Sequence, residues 1–180
     1  GASIIVANHN CHIDTLLLMC LFPCADILKI HPVAAADYFC NTKFKSFVFT
    51  KLLGIIPIQR KVRKATEEEI FKDINNALRN GETIIIYPEG TRGETNELAK
   101  FKSGVAHIAK MNPEVPVIPM FINGPDRILP KGDFLWVPFI SDVYAGEPLY
   151  YDGSSTKEFT DKIRYAVGEL KMEHSRKEEL

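Results

Sequence analysis

Two short apolar runs, each followed by a loop of polar and turn-forming residues, constrain the fold of this chain more than any other feature. The runs are Ile4-Ile5-Val6-Ala7 and Thr83-Ile84-Ile85-Ile86. Short apolar runs bounded by turn signals are typical of fully buried β-strands. Segments with helical periodicity lie between such runs, so the sequence predicts an α/β fold in which helices flank a mixed, mostly parallel sheet.

The predicted strands and helices alternate along the chain. Strands are predicted at 3–7, 27–30, 84–87 and 117–122, and one or two strands are predicted at 136–143. Helices are predicted at 13–22, 44–53, 66–79, 103–110 and 156–178. The third of these helices has the clearest boundaries, because Thr66 and Glu69 have the spacing of a capping box and Gly81 follows the last turn.

Length and composition indicate a single domain over residues 1–180. A chain of 180 residues with 46% hydrophobic side chains can bury a full core. The net charge of -1, with Lys and Arg scattered among acidic residues, gives no indication of nucleic-acid binding. No apolar run in the sequence reaches the length of a membrane-spanning helix. The four cysteines have no disulfide-like spacing, which indicates reduced thiols in a cytoplasmic setting.

The loop after the first predicted strand carries a candidate general base. His9 lies at the end of that strand, and Asp14 lies in or near the first turn of the following helix. A carboxylate there stays ionised and can hold an imidazole in one tautomer. A hydroxyl nucleophile needs this arrangement when it must lose its proton while attacking an acyl carbonyl. His9 and Asp14 are therefore the candidate catalytic residues.

A second polar block, Tyr87-Pro88-Glu89-Gly90-Thr91-Arg92-Gly93, ends the strand predicted at 84–87. Its Arg92 has a planar guanidinium suited to bidentate contact with a phosphate, and backbone N–H groups around Gly90 can add donors. Open α/β sheets place their ligands at the ends of strands in this way. The block therefore predicts an anion site close to the candidate base.

In order and spacing, the two blocks resemble the motifs of the PlsC-type glycerolipid acyltransferases. The resemblance is carried by His9, four intervening residues and Asp14, and then by the downstream block Glu89-Gly90-Thr91-Arg92. It implies that the histidine is the general base and that the aspartate orients it. It also implies that Glu89, Gly90, Thr91 and Arg92 form the site for the phosphate of the acceptor, on a glycerolipid acyltransferase-like fold.

Two further blocks are similar to the other motifs of that family. Gly54-Ile55-Ile56-Pro57-Ile58-Gln59-Arg60 is similar to the second motif, which implies that Arg60 contacts the glycerol phosphate. The copy departs from the family pattern at Pro57, where an aromatic residue is frequent, and at Gln59, where an aspartate is frequent. Val115-Pro116-Val117-Ile118-Pro119-Met120 is similar to the fourth motif, an apolar strand that helps to shape the acyl pocket.

The resemblance implies an acyltransferase that moves a fatty acyl group from acyl-CoA or acyl-carrier protein to the hydroxyl of 1-acyl-glycerol-3-phosphate, giving phosphatidic acid. Such chemistry requires neither a metal nor a redox cofactor. The expected partners are an acyl thioester, a lysophospholipid acceptor and a membrane surface, with no nucleic acid. We expect a cytoplasmic protein, peripheral at the inner membrane surface, with a natural N-terminal segment before residue 1.

The residues themselves leave several alternatives open. The nearest is the same chemistry on glycerol-3-phosphate or another lysophospholipid. A hydrolase is a second, in which His12 joins His9 and Asp14 to activate water, on a metal in one version. A non-catalytic lipid-binding module is a third. Glu89 accepts hydrogen bonds either from loop N–H groups or from a substrate hydroxyl, and Lys102 is either solvated or close to the phosphate.

Overall fold

The strand that precedes His9 lies inside the sheet, with a neighbour on each side. The computed structural model describes residues 1–10, 13–36, 54–58, 66–90, 98–124 and 141–178. Its strands are β1 (Ser3–Ala7), β2 (Ile30–Ala35), β3 (Ile56–Ile58), β4 (Thr83–Ile86), β5 (Val117–Asn123) and β6 (Asp142–Ala145). They form one sheet in the order β3-β2-β4-β1-β5-β6. All neighbours are parallel except β5 and β6, which confirms the predicted mixed, mostly parallel sheet.

Helices cover both faces of this sheet. In chain order they are α1 (Ile13–Met19), a 3₁₀ helix (Cys24–Lys29), α2 (Glu67–Ile70), α3 (Lys72–Arg79), α4 (Gly104–Met111) and α5 (Thr156–Glu178). Buried side chains of α3, α4 and α5 form one core with the first face, and buried side chains of α1 form a second core with the opposite face. The flanking helices expected from the alternating sequence pattern are therefore present.

The position of β1 between two cores explains why its sequence is continuously apolar. The side chains from Ile4 to Ala7 are all fully buried. Ile4 and Val6 belong to the core under α3, α4 and α5, whereas Ile5 and Ala7 belong to the core under α1. Successive side chains of a strand point to opposite faces, so a strand covered on both faces needs an unbroken apolar run. Burial of each isoleucine contributes about 1.5–3 kcal/mol to folding.

The helix predicted at 66–79 forms with the expected start and stop but with a break in between. The capping box is present, since the Glu69 N–H donates to Thr66 Oγ1 at 3.3 Å and the Thr66 N–H donates to Glu69 Oε2 at 2.9 Å. At Phe71 the backbone leaves helical geometry (φ -100°, ψ 10°), and the segment divides into α2 and α3. Gly81 follows α3 with a φ of +81°.

Two local predictions are wrong. Helix α1 ends at Met19 instead of continuing to residue 22, and residues 27–30 do not form a strand of their own. The 3₁₀ helix occupies most of that segment, and β2 begins only at its last residue and continues through Pro32. Pro32 stands in register with Ile85 of β4, whereas pairing between β2 and β3 starts only at Val33.

Other predictions fall outside the described part of the chain. The helix predicted at 44–53 lies there entirely, and so do residues 136–140 of the last predicted strand region. The remainder of that region overlaps β6. Among the described residues, no helix is long and apolar enough to cross a membrane.

Candidate active site

The candidate site forms where the carboxyl ends of β1 and β4 meet. The two strands are parallel neighbours, and Val6 pairs with Ile86 at the last position of their register. The loops that follow, residues 8–10 and Tyr87–Gly90, therefore leave the sheet at the same edge. This is the edge at which open α/β sheets bind ligands, and it brings together the two polar blocks that the sequence separates.

Asn8 fixes the direction in which the chain leaves β1. Its amide Nδ2 donates to the Ile122 carbonyl at 2.9 Å, and its Oδ1 accepts the Ile122 N–H at 2.7 Å. The side chain thus replaces the backbone groups that would continue the ladder to β5. Asn8 is buried, so both bonds are shielded from water. No role for Asn8 follows from the sequence, because its partner Ile122 lies 114 positions away.

His9 and Asp14 are in direct contact. The distance from His9 Nδ1 to Asp14 Oδ2 is 3.0 Å, and the same oxygen accepts the Asn10 backbone N–H at 2.7 Å. The Asp14 side chain is 1% exposed and that of His9 is 20% exposed. Since a carboxylate only accepts hydrogen bonds, the proton of neutral His9 lies on Nδ1 and Nε2 retains its lone pair. The predicted contact is present, and the arrangement is suited to general-base chemistry at Nε2.

The ring of Tyr87 forms a platform for the His9 imidazole. The two rings are stacked, with their centroids 4.3 Å apart and an interplanar angle of 23°. The Tyr87 hydroxyl is also 3.0 Å from Thr15 Oγ1, on the helix that carries Asp14. Burial raises the pKa of Tyr87 well above its usual range, and the hydrogen bond with Thr15 acts in the opposite direction. Neither Tyr87 nor Thr15 was singled out from the sequence.

Glu89 lies buried behind the site. Burial raises the pKa of its carboxyl, whereas hydrogen bonds from the backbone N–H groups of His9 and Ala99 lower it. These N–H groups belong to both ends of the site, the loop after β1 and the segment before α4. Glu89 Oε2 is buried and has no hydrogen-bond partner among the described residues, so both roles, acceptor for backbone groups and acceptor for a substrate hydroxyl, stay open.

A tight turn at Gly90 brings the Lys102 side chain over the second loop. Gly90 has a φ of +69°, and its N–H donates to the Tyr87 carbonyl at 3.1 Å. The Lys102 N–H donates to the Pro88 carbonyl at 2.9 Å, which fixes the lysine beside the turn. A Cβ at position 90 would collide with Lys102 Nζ. The glycine therefore leaves space for an ammonium group directly before residues 91 and 92.

Replacing Gly90 by alanine is expected to lower the thermal midpoint by about 2–8 °C. A left-handed backbone costs a residue with a Cβ about 1–2 kcal/mol, and about 1 kcal/mol corresponds to 2–4 °C for a chain of this size. The methyl group would also displace the Lys102 ammonium, so the KM for a phosphate-bearing acceptor should rise.

The matched control is Gly153→Ala. Gly153 has a φ of +83°, but a Cβ there meets nothing within 4 Å. Gly153→Ala should therefore lower the thermal midpoint by a similar amount and leave the KM for the acceptor unchanged. Thermal unfolding and acceptor titrations on both variants make the comparison. An unchanged KM in Gly90→Ala would show that Lys102 has no part in acceptor binding.

Several predicted site residues lie outside the described part of the chain, namely His12, Arg60, Thr91 and Arg92. The described residues include His9, Asp14, Glu89 and Gly90, and these converge at one sheet edge. The block similar to the fourth motif includes the start of β5, which pairs with β1 from Ile4 onward. Within the described ranges, no three His, Cys, Asp or Glu side chains are grouped so that they could hold a metal ion.

Comparison with known proteins connects this chain with one family. The acyltransferase family model matches residues 1–123, more than half of the 180-residue chain. The 1-acyl-sn-glycerol-3-phosphate acyltransferase of Saccharomyces cerevisiae is 26% identical over 130 residues, which is 70% of this chain and 40% of that protein. The protein of the same name from Limnanthes douglasii is 25% identical over 169 residues, which is 90% of this chain and 55% of that protein.

A solved structure has the same fold. The 1-acyl-sn-glycerophosphate acyltransferase PlsC from Thermotoga maritima matches with a TM-score of 0.73 at 24% sequence identity, over 95% of this chain and 66% of that one. At this identity the likeness concerns the fold, and it confirms the predicted glycerolipid acyltransferase-like architecture. The chain aligns with only 40% and 55% of the length of the two curated relatives described above.

Proposed function

The chain belongs to the acyltransferase family, and from this premise we propose that it transfers a fatty acyl group from a thioester to the hydroxyl of 1-acyl-glycerol-3-phosphate. The product is phosphatidic acid, and the donor is acyl-CoA or acyl-carrier protein. The relatives are named as 1-acyl-sn-glycerol-3-phosphate acyltransferases, and these names support this choice of acceptor. Because the acceptor and the product are lipids, the proposed place of the reaction is a membrane surface, which we take to be the cytoplasmic side of the inner membrane.

The observation that carries the proposal is the His9–Asp14 contact beside the turn at Gly90. His9 Nε2 takes the proton of the acceptor hydroxyl while the oxygen attacks the thioester carbonyl. Asp14 stabilises the imidazolium that results. When the tetrahedral intermediate collapses, the new C–O bond remains, the C–S bond breaks, and the thiolate leaves with the proton returned by His9. An ester and a free thiol are formed, so no further reactant is needed.

Positive groups around the second loop would hold the acceptor in position. Lys102 lies over Gly90, and Arg92 and Arg60 complete the proposed phosphate site on the grounds of the family resemblance. Holding the phosphate aims the hydroxyl before the reaction begins, which converts part of the binding energy into rate.

A thiol-release assay across a panel of acceptors tests the proposed function. The purified protein is given a long-chain acyl-CoA together with 1-acyl-glycerol-3-phosphate, glycerol-3-phosphate, a monoacylglycerol or no acceptor. We expect rapid release of thiol only with the first compound, and formation of phosphatidic acid in equal amount. Equal release without an acceptor would indicate a hydrolase, and no release at all would indicate a lipid-binding module.

Removing metal ions is expected to leave the acyl-transfer rate unchanged. The proposed steps use the imidazole of His9 and the carboxylate of Asp14 and include no metal. The assay is repeated after exhaustive dialysis against a chelator, and bound metal is measured in parallel by elemental analysis. Stoichiometric zinc, combined with activity that returns only when zinc is added, would contradict the proposed mechanism and favour a metal site that includes His12.

A further inference from the structure

Tyr87 and Thr15 complete a closed ring of contacts around the candidate base. His9 contacts Asp14 through Nδ1, Thr15 follows Asp14 on α1, and Thr15 Oγ1 is 3.0 Å from the Tyr87 hydroxyl. The Tyr87 ring returns to His9 by stacking on its imidazole. We propose that Tyr87, held by Thr15, is a positioning residue that sets the plane of the His9 imidazole. The role in catalysis rests on the proposed function.

The stacked Tyr87 ring prevents a tilt of the His9 imidazole that the contact with Asp14 alone would allow. A single hydrogen bond at Nδ1 fixes the position of one ring nitrogen, but the imidazole can still tilt about that contact. At a centroid distance of 4.3 Å and an angle of 23°, the Tyr87 ring covers one face of the imidazole and prevents the tilt. The direction of Nε2 is thereby set, and proton transfer depends on that direction.

The Tyr87 hydroxyl links the Tyr87 ring to α1, the helix that carries the Asp14 carboxylate. Asp14 and Thr15 are consecutive residues of α1, so the group that contacts Nδ1 and the group that anchors Tyr87 move together. The contact with His9 Nδ1 and the anchor of the Tyr87 ring therefore depend on the position of one helix. Because burial raises the pKa of Tyr87, its hydroxyl stays neutral and places no charge beside the imidazole.

The platform also suits the state that His9 reaches during the reaction. When the imidazole takes a proton it becomes a cation, and a cation over the face of an aromatic ring is attracted by the ring electrons. The stacking thus favours the imidazolium as well as holding the neutral ring. A residue that only filled space would contribute to stability but would leave turnover unaffected.

Three substitutions separate the parts of this arrangement. Tyr87→Phe keeps the platform and removes its anchor, Thr15→Val removes the same hydrogen bond from the other side, and Tyr87→Leu removes the platform. We expect kcat to fall about three- to tenfold in each of the first two, with KM nearly unchanged. Tyr87→Leu should lower kcat about ten- to a hundredfold.

The double variant Tyr87→Phe/Thr15→Val sharpens the test. The two single changes break one shared hydrogen bond, so the double variant should lose no more kcat than either single variant. Losses that multiply would show that the two residues act separately and would overturn the proposed link. Since these variants keep the Tyr87 ring or touch only Thr15, they test the proposal even when Tyr87→Leu does not fold.

Tyr151 provides matched controls. Its hydroxyl also donates to an oxygen, the Ser154 carbonyl, and its ring also contacts an aromatic ring, that of Phe159, at the start of α5. Tyr151→Phe and Tyr151→Leu should reduce stability without changing kcat. If they reduce kcat as much as the Tyr87 variants do, the effect is general destabilisation, and the positioning role is wrong.

A spectroscopic measurement tests the inference without relying on turnover. The His9 ring protons should show the upfield NMR shift of a stacked ring in the wild-type protein and in Tyr87→Phe, and should lose it in Tyr87→Leu. An unchanged shift in Tyr87→Leu would overturn the platform. A wild-type protein without acyl transfer but with the stacked signal would refute the proposed function and leave the positioning of His9 by Tyr87 supported.

Discussion

Replacing His9 by alanine is expected to lower turnover by about 10²–10⁴ without unfolding the protein. A positioned general base contributes a factor of this size, and His9 contacts Asp14 through Nδ1, which leaves Nε2 to take the proton. The His9 side chain is 20% exposed, so the space left by the imidazole opens to solvent and is not a closed cavity. The measurement is kcat with 1-acyl-glycerol-3-phosphate, accompanied by circular dichroism and thermal unfolding.

His107→Ala is the matched control. His107 also contacts a carboxylate through Nδ1, at 2.8 Å from Glu67 Oε2, but this pair lies between α4 and α2. Removing it should leave kcat unchanged. If His9→Ala kept turnover close to that of the wild type, the assignment of the base would be wrong.

Asp14→Asn is expected to reduce kcat by less than His9→Ala, by about ten- to a hundredfold. The asparagine keeps an oxygen near His9 Nδ1 but loses the negative charge that stabilises the imidazolium, and a hydrogen bond to a charged group contributes about 1.5–3 kcal/mol. The change also weakens the bond from the Asn10 N–H. If Asp14→Asn kept full activity, the role of Asp14 would be to support the structure of the loop and not to assist catalysis.

The sequence predicts the site well where its residues are close along the chain. His9 and Asp14 are five positions apart at a strand-to-helix junction, so a contact between them follows from local geometry. The buried strands β1 and β4 are equally clear, because a strand covered on both faces must be continuously apolar. The order of the strands has no such signal. It is this order that brings Tyr87 to His9 and allows Asn8 to reach Ile122 across 114 positions.

The wrong local predictions have a related cause. Ile27, Leu28 and Ile30 suggest a strand by composition, yet Ile27 packs against the core from the 3₁₀ helix and only Ile30 enters β2. Leu28 is 81% exposed, which no apolar pattern would predict. Pro32 argues against an interior strand, yet it lies in β2 in register with Ile85 of β4. Such outcomes depend on which strand lies alongside, and a single sequence does not contain that information.

Arg92→Ala is expected to reduce kcat/KM for 1-acyl-glycerol-3-phosphate by about one to two orders of magnitude. A charge-assisted contact with phosphate contributes roughly 1.5–3 kcal/mol, and each 1.4 kcal/mol corresponds to a factor of ten. Arg92 lies outside the described residues, two positions after the turn at Gly90 and its Lys102 neighbour. Arg92→Lys keeps the charge without the planar fork, so it should restore only part of the loss. Arg60→Ala should act in the same direction with a smaller effect, because its motif is the less faithful copy.

The decisive comparison uses an acceptor with and without its phosphate. If Arg92 binds phosphate, Arg92→Ala should lose activity with 1-acyl-glycerol-3-phosphate but retain the slow transfer to a monoacylglycerol. Arg164→Ala shows what structural support alone produces, because Arg164 donates to the Leu98 and Ala99 carbonyls at 3.1 and 3.3 Å, in the described segment before α4. Arg164→Ala should lower the activity with both acceptors by the same factor. Replacing Arg79, which is exposed at the end of α3, should leave the activity with both acceptors unchanged. Equal losses on both acceptors in Arg92→Ala would place Arg92 with Arg164 as a structural support, and the phosphate site would then have to be formed by Lys102 and its neighbours.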